Sequence, residues 1–308
     1  MGAGSAASGA GEPLTQHGPE AGQGAADQGG AVGLLCGAGL LPVRVAQSLA
    51  RRGRRVVAVC IEGEADQAIA GVCAEVHWTG LAKLGRWIRL FKEARVEAVL
   101  MCGGIRKRRM FGSRSAMMPD WRTLKLWYDR LKSREDHTIL GAVVEEFEKE
   151  GIRVGSVPQH CPELIAPPGC LTRKQPTARQ WRDIRFAWPI AKQVAALQIG
   201  QCVVVKDLAV VAVEGIDGTD AALERGGSLA GSGAVAVKVP KEGHDERFDI
   251  PCVGPDTADV LGRSGVSALA LEAGRTVLLD REEVRRKADA ARVCIIAVTA
   301  EGVREAEP

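Results

Sequence analysis

Acidic residues cluster at the end of a β-type run in the second half of this 308-residue chain. Glu214, Asp217 and Asp220 fall within seven residues. Clustered carboxylates supply the oxygen ligands that a hard cation such as Mg²⁺ prefers. Residue types alone leave two interpretations open, a metal site or a solvated acidic loop between two strands.

Glycines and basic residues follow the acidic cluster. Glycine lets backbone amides approach an anion closely, and Lys and Arg neutralise phosphate charge. This combination over residues 214–257 suggests chemistry on a phosphate or pyrophosphate. The later part of the stretch contains charged residues at Lys238, Lys241, Asp245, Arg247 and Asp249.

Composition is typical of a globular protein that is long enough for two domains, with 46% hydrophobic and 26% charged residues. The net charge of +3 is unevenly distributed. Residues 81–134 contain 15 Lys and Arg against 4 Asp and Glu, a local excess of +11, which is concentrated in the run Arg106–Arg109. Such a field attracts phosphates, nucleic acid or an acidic membrane surface.

Other features of the sequence exclude several classes. The nine cysteines form no C-x-x-C pair and no zinc-type spacing, and the five histidines fit no Ser or Cys nucleophile pattern. Residues 1–30 lack the basic and apolar regions of a signal peptide, so we expect a disordered tail. Because no apolar run approaches the length of a transmembrane helix, we expect a cytoplasmic protein.

Strand and helix patterns alternate along residues 31–160, which favours a Rossmann-like parallel α/β domain. We predict strands over residues 31–36, 54–61, 96–102 and 152–157, with helices over 42–52, 84–91, 121–131 and 138–150.

Four prolines in residues 161–176 predict a linker, since proline at that density breaks regular structure. A second, mixed α/β domain follows over residues 177–300, with a tail at 301–308. We predict strands over residues 202–206, 209–214, 234–239, 268–272 and 293–298, and helices over 177–197, 256–264 and 281–291.

A glycine turn follows the first predicted strand. Gly37 and Gly39 match the start of a dinucleotide fingerprint, but Pro42 replaces its third glycine. Such a turn places amides and a helix N-terminus near an anion. Alternatives that remain open are a nucleotide-sugar oxidoreductase that binds NAD and a non-catalytic module that binds nucleic acid through the basic region.

The chain contains four longer motifs in a defined order, GLLCGAGLLP at 33–42, MCGGIRK at 101–107, EGIDGTDAAL at 214–223 and KVPKEGHDERFDIPCVGPDT at 238–257. Over residues 33–298 this order resembles the UDP-2,3-diacylglucosamine pyrophosphatase family of the LpxI type. The resemblance implies two domains with the active site in the cleft between them. This chain departs from the family pattern at Ala222, where Met is common, and at Gly103–Gly104, where Gly-Lys is common.

The resemblance also implies a reaction. The family hydrolyses UDP-2,3-diacylglucosamine to UMP and 2,3-diacylglucosamine 1-phosphate (lipid X), a step of lipid A biosynthesis, using Mg²⁺. Water attacks the phosphorus on the sugar side. The essential aspartate of the family corresponds to Asp220.

Resemblance and residue types together give the expected site. We expect catalytic roles for Asp220, Asp217 and Lys238. We expect metal ligands among Asp220, Asp217, Glu214, Asp245 and Asp249. We expect substrate contacts from Gly37, Gly39, Thr172, Arg173, Gly218, Thr219, Lys241 and Arg247.

Expected partners follow from the lipid substrate. The basic run suits peripheral attachment to the inner-membrane surface, and apolar residues over 110–128 suit acyl chains. We expect no nucleic-acid partner, and a homo-oligomer is compatible with the sequence.

Overall fold

The structure is a computed structural model that describes residue 1 and residues 30–105, 118–130, 136–243 and 245–305. Our predictions for the N-terminal tail, for the basic run Arg106–Arg109 and for the last three residues of the C-terminal tail therefore lie outside the described residues.

The first domain is built on a five-stranded parallel sheet with the strand order β3-β2-β1-β4-β5. Its strands are β1 (Ala31–Cys36), β2 (Val56–Ile61), β3 (Glu75–Thr79), β4 (Val96–Cys102) and β5 (Arg153–Gly155). Its helices are α1 (Leu41–Arg51), α2 (Leu84–Glu93), α3 (Trp121–Arg130), α4 (Asp136–Lys149) and α5 (Val157–His160). The predicted parallel Rossmann-like domain is confirmed.

Both faces of this sheet are covered. β1 and β2 are buried along their whole lengths, as expected for central parallel strands between two helical layers. On one face Phe91 and Phe147 pack with ring centroids 5.9 Å apart. Strand β3 was not predicted, because at the sheet edge its first four residues are only half-buried and carry no continuous apolar run.

The strands of the second domain are β6 (Gly169–Cys170), β7 (Cys202–Lys206), β8 (Ala209–Val213), β9 (Ala234–Lys238), β10 (Cys252–Val253), β11 (Val266–Glu272), β12 (Val277–Leu278) and β13 (Cys294–Val298). Six of them form a mixed sheet with the order β6-β13-β11-β9-β7-β8. Strands β9, β11 and β13 are parallel to one another, while β7 is antiparallel to β8 and β9. The helices of this domain are α6 (Ala178–Ala196), α7 (Thr219–Ala230), α8 (Pro255–Ser264), α9 (Arg281–Ala290) and α10 (Ala300–Glu305).

A parallel pair formed by β10 and β12, here called the interdomain ribbon, joins the two domains. Val277 and the adjacent Leu279 are buried in the apolar cluster that also contains the core of β1. Arg247 of the second domain donates to Glu148 of α4 over 2.8 Å, and Arg44 of α1 donates to Asp280 over 2.7 Å. The two sheets are therefore held together by apolar burial and by two ion pairs.

The segment predicted as a linker, residues 161–176, packs against both domains. Cys161 and Leu164 belong to the first-domain core, and Ala166 belongs to the second-domain core. Within the same segment β6 pairs with the edge of β13.

Helix α7 occupies the glycine-rich segment in which sequence reasoning expected amides exposed to an anion. Close packing against neighbouring elements requires glycine at two interior positions of this helix. A Cβ on Gly226 would lie 2.7 Å from Val204 of β7, and a Cβ on Gly227 would lie 1.7 Å from the carbonyl oxygen of Ser264 in α8. The helix was not predicted because glycine has a low helix propensity.

We predict that Gly227→Ala destabilises the protein, because the new methyl group collides with backbone rather than with a movable side chain. The expected loss is about 3 kcal/mol in the free energy of unfolding, the upper end of the usual overpacking range. The measurement is thermal unfolding followed by circular dichroism.

Gly141→Ala is the matched control, because Gly141 also lies inside a helix but has open space at its Cβ position. That substitution should stabilise the protein by up to about 1 kcal/mol. Equal melting temperatures for the two variants would contradict the packing role of Gly227.

Candidate active site

Candidate site residues collect at one edge of the second sheet. Glu214 directly follows β8, and Lys238 ends β9. Because β7 runs antiparallel to both strands, its first residue, Cys202, lies at the same edge and pairs with Lys238. Ligands of α/β sheets usually bind outside the carboxyl ends of parallel strands, so this is the edge at which a site is expected.

Lys238 anchors a chain of hydrogen bonds at this edge. It is 7% exposed, and its Nζ donates to Thr219 Oγ1 over 2.9 Å and to the Cys252 carbonyl over 3.0 Å. Thr219 donates in turn to Glu214 Oε1 over 3.0 Å, and Glu214 Oε2 accepts from the amide of Gln201 over 3.2 Å. The ammonium group is therefore fixed in position beside the start of α7.

Asp220 lies in the first turn of α7, where the positive end of the helix dipole favours a carboxylate. Although the residue remains accessible to solvent, partial burial of its carboxyl group raises the pKa of Asp220. The ammonium of Lys238 opposes this shift in pKa, and the negative charge of Asp256 adds to it.

Asp256 is a site residue that sequence reasoning missed. It lies in the first turn of α8, directly after Pro255. Helices α7 and α8 pack closely through Gly227, and the negative charge of Asp256 is one of the causes that raise the pKa of Asp220. The available signal was the Gly-Pro pair itself, since proline is favoured in the first turn of a helix.

Asp217 faces away from this arrangement toward Arg225. The carboxylate accepts hydrogen bonds from the Arg225 guanidinium and from the amide of Gly215, the latter over 3.1 Å. The Arg225 hydrogen bond is the main reason that the pKa of Asp217 is lowered. Asp217 therefore secures the turn before α7, and its charge is compensated there.

The positive charge of Arg247 is also compensated by carboxylates. It donates to Asp245 through Nε over 2.9 Å and through Nη2 over 2.6 Å, and to Glu148 through Nη1. These contacts place Arg247 at the junction of the domains. Asp249 accepts from Gln201 Nε2 over 2.9 Å and lines the interdomain cavity.

Thr172 and Arg173 are not brought to the interdomain cavity. The buried Thr172 hydroxyl accepts from the amide of Ile295 over 3.0 Å and donates to the carbonyl of Lys174 over 3.2 Å. Arg173 is exposed beside Asp289 of α9. These contacts within the second domain account for the positions of both side chains without a bound substrate.

The glycine turn after β1 packs against the glycine pair after β4. The amide of Ala38 donates to the Gly104 carbonyl over 2.7 Å, and the amide of Gly104 donates back over 3.2 Å. A Cβ on Gly37 would lie 2.5 Å from the Gly104 carbonyl oxygen. Gly37 lines the cavity, whereas Gly39 supplies the positive φ of 93° that the turn requires.

A cavity of about 670 Å³ lies between the domains. Glu214 and Gly218 line it, whereas Lys238, Asp220 and Asp256 are not among its lining residues. The first domain contributes a mainly apolar wall, which includes Leu35, Ile61, Leu81, Leu84, Trp87, Met101, Leu126, Ile139, Leu140 and Val143. The second domain contributes a more polar wall, which includes Gln201, Glu214, Gly218, Lys241 and Asp249. The cavity is therefore amphipathic and open to both sheet edges.

The acidic residues do not gather into one cage. Within residues 30–105, 118–130, 136–243 and 245–305, no group of three His, Cys, Asp or Glu side chains is arranged to hold a metal ion. Magnesium usually takes only one or two protein carboxylates and completes its shell with water and substrate phosphates. Asp220 and Asp256, two carboxylates of like charge at neighbouring helix N-termini, fit that smaller donor set.

No helix in the described part of the chain combines the length and the apolar character needed to cross a membrane.

Comparison with known proteins gives two family matches, to the LpxI N-terminal domain over residues 31–164 and to the LpxI C-terminal domain over residues 167–296. The chain is also 31% identical over 269 residues to the UDP-2,3-diacylglucosamine pyrophosphatase LpxI of Caulobacter vibrioides (strain ATCC 19089 / CIP 103742 / CB 15). That alignment covers 84% of this chain and 94% of the relative.

Similarity to solved structures is weak. The biotin carboxylase domain of the Hydrogenobacter thermophilus 2-oxoglutarate carboxylase gives a TM-score of 0.22 at 16% identity and covers 59% of this chain and 36% of that one. The biotin carboxylase subunit of pyruvate carboxylase gives 0.21 at 14% identity and covers 60% and 38%. This chain spans little more than a third of those structures, and such scores carry no argument about function.

Proposed function

Because the chain belongs to the LpxI family, we propose that it hydrolyses the pyrophosphate bond of UDP-2,3-diacylglucosamine to give UMP and 2,3-diacylglucosamine 1-phosphate, in lipid A biosynthesis. The observation that carries the proposal is the amphipathic cavity beside the Lys238 edge. Its apolar wall matches acyl chains, and its polar wall matches a sugar diphosphate.

Lys238 is suited to bind a phosphoryl oxygen. An ammonium group has three N–H donors, and two of them are used by Thr219 and by the Cys252 carbonyl. In the described part of the chain no third acceptor bonds to this ammonium group, so its third N–H is available to substrate, and the two hydrogen bonds fix its direction. A preorganised cation in a largely buried position stabilises charge that develops in the transition state.

Lys241 adds a second positive charge at the cavity wall. Within the described part of the chain no carboxylate forms an ion pair with its side chain, so this charge is available to a diphosphate. Arg247, in contrast, is neutralised by Asp245 and Glu148 and would act by holding the domains together.

Magnesium is part of this proposal, with Asp220 and Asp256 as the side chains that would hold it. The bound cation would offset the negative charge of the diphosphate and make the phosphorus accessible to water. The chain's own contribution is to orient the diphosphate with Lys238 and Lys241 and to enclose the acyl chains. Asp217 and Asp245 are assigned as arginine partners. Asp249 and Glu214, which line the cavity, are the candidates for the base.

No specific observation favours either alternative, the NAD-dependent oxidoreductase or the nucleic-acid-binding module. A NAD-dependent oxidoreductase would use the amides of the Gly37–Gly39 turn, but the amides of Gly37 and Ala38 already bond to the carbonyls of Cys102 and Gly104. Binding of nucleic acid alone would leave the interdomain cavity without a role.

We expect Asp220→Asn to lower the rate of UMP release by about 10³-fold or more, because it removes one of the two carboxylates that would hold the Mg²⁺ that offsets the charge of the diphosphate. The measurement compares the folded variant and the wild-type protein on UDP-2,3-diacylglucosamine with saturating Mg²⁺ and with EDTA. Asp217→Asn is the control and should lose much less. Wild-type turnover by folded Asp220→Asn would refute the role of Asp220, and absence of UMP release by the wild type would refute the function.

A second prediction concerns the apolar wall. Leu140→Trp should raise the KM for substrate with long acyl chains and leave the KM for a short-chain analogue nearly unchanged, because the indole fills part of the cavity that only long chains reach. Steady-state kinetics with both substrates measure this difference. Leu229→Trp, at an exposed position of α7, is the control. Equal effects on both substrates would place the acyl chains elsewhere.

A further inference from the structure

Helix α3 exposes large apolar side chains to solvent. Trp121 is 80% exposed, Leu124 is 45% exposed and Tyr128 is 81% exposed. Spacings of three and four residues place these side chains on one face of the helix. Met118, just before the helix, is 71% exposed. A contiguous exposed apolar face that includes two aromatic residues is unusual for a soluble surface and indicates an interaction site.

The opposite face of the same helix forms part of the cavity wall. The hydroxyl of Thr123 accepts from the amide of Leu84 over 3.1 Å, and Leu126 is buried. Both residues line the interdomain cavity. Helix α3 is therefore a single layer between an apolar cavity and an apolar outer surface.

Positive charge surrounds this outer face. Helix α2 packs beside α3, where the carboxylate of Asp120 accepts from the amides of Gly85 and Arg86. Arg86 and Arg89 of α2 and Lys125 of α3 are exposed. Among residues that the structure describes, none of these three cations forms an ion pair, whereas Arg122 on the same helix pairs with Glu146 and Glu150.

We propose that the outer face of α3, together with Arg86 and Arg89, docks on an anionic lipid bilayer with α3 lying in the headgroup region. Trp, Tyr and Leu on an exposed helix flanked by basic side chains are the features of a helix that lies in a membrane interface. Trp and Tyr favour the headgroup level, and the exposed side chains of Arg86 and Arg89 complement anionic lipids. The continuity of this surface with the apolar cavity behind it favours a lipid over a protein or nucleic-acid partner.

Docking in this orientation would bring the cavity to the membrane, from which an acylated molecule could enter without crossing water. In this respect the inference rests on the proposed function. The docking itself is independent of hydrolysis and can be measured on vesicles that contain no substrate.

The test is co-sedimentation of the full-length protein with vesicles of phosphatidylcholine alone and of phosphatidylcholine with phosphatidylglycerol. We expect the wild-type protein to bind the anionic vesicles and to release them as salt is raised. Trp121→Ser combined with Tyr128→Ser should lower the partition coefficient about tenfold or more, since the anchoring rings are lost. Arg86→Glu combined with Arg89→Glu should weaken binding most at low salt.

Leu208→Ser combined with Leu229→Ser is the matched control, because both leucines are exposed in the second domain. This control should bind like the wild type, and the melting temperatures of all variants should agree. Absence of binding to anionic vesicles, or equal binding by the Trp121/Tyr128 variant, would overturn the proposal. A wild-type oligomer that the same variant dissociates, or salt-sensitive oligonucleotide binding without vesicle binding, would overturn it in favour of another occupant.

The two claims fail separately. A protein that releases UMP from substrate in detergent but ignores vesicles would refute the docking alone. A protein that binds anionic vesicles through α3 but never releases UMP would refute the proposed function alone.

Discussion

The rest of the structure depends on the interface between the two domains. Val277 and Leu279 leave the second domain to be buried in the first-domain core, and each such burial is worth about 1.5–3 kcal/mol. Arg247–Glu148 and Arg44–Asp280 add ion pairs to this contact. Parallel sheets present ligands at the carboxyl ends of their strands. Because the interface between the domains holds both of these edges against one cavity, residues of both domains line that cavity.

Within the second domain, close packing of helices positions the charged groups. Gly227 allows α7 to approach α8, and the first turns of these packed helices contain Asp220 and Asp256. Lys238 fixes the start of α7 through Thr219. The first domain adds little charge to the cavity and supplies its apolar wall. This division of roles suits a substrate that is anionic at one end and acylated at the other.

The sequence predicted the parts of this arrangement that depend on local pattern. Buried strands such as β1 and β4, the hairpin of β7 and β8 and the parallel first domain follow from apolar periodicity and strand–helix alternation. The structure also places Glu214 and Gly218 at the wall of the interdomain cavity, and the buried Lys238 is linked to Glu214 through Thr219. Residue type could not show which carboxylates have arginine partners, as Asp217 and Asp245 do. It could not show α7 either, because the glycines that weaken a helix locally are required by contacts with Val204 and Ser264 that are distant in sequence.

Hydrolysis of UDP-2,3-diacylglucosamine in water enriched in ¹⁸O, with Mg²⁺ and with EDTA, is the most direct test of the proposed reaction. We predict UMP release that requires the metal, with the label on the phosphate of 2,3-diacylglucosamine 1-phosphate. Label on UMP would contradict attack at the sugar-side phosphorus. No UMP from folded protein at any metal concentration would contradict the assignment of the cavity and the Lys238 edge as a pyrophosphatase site.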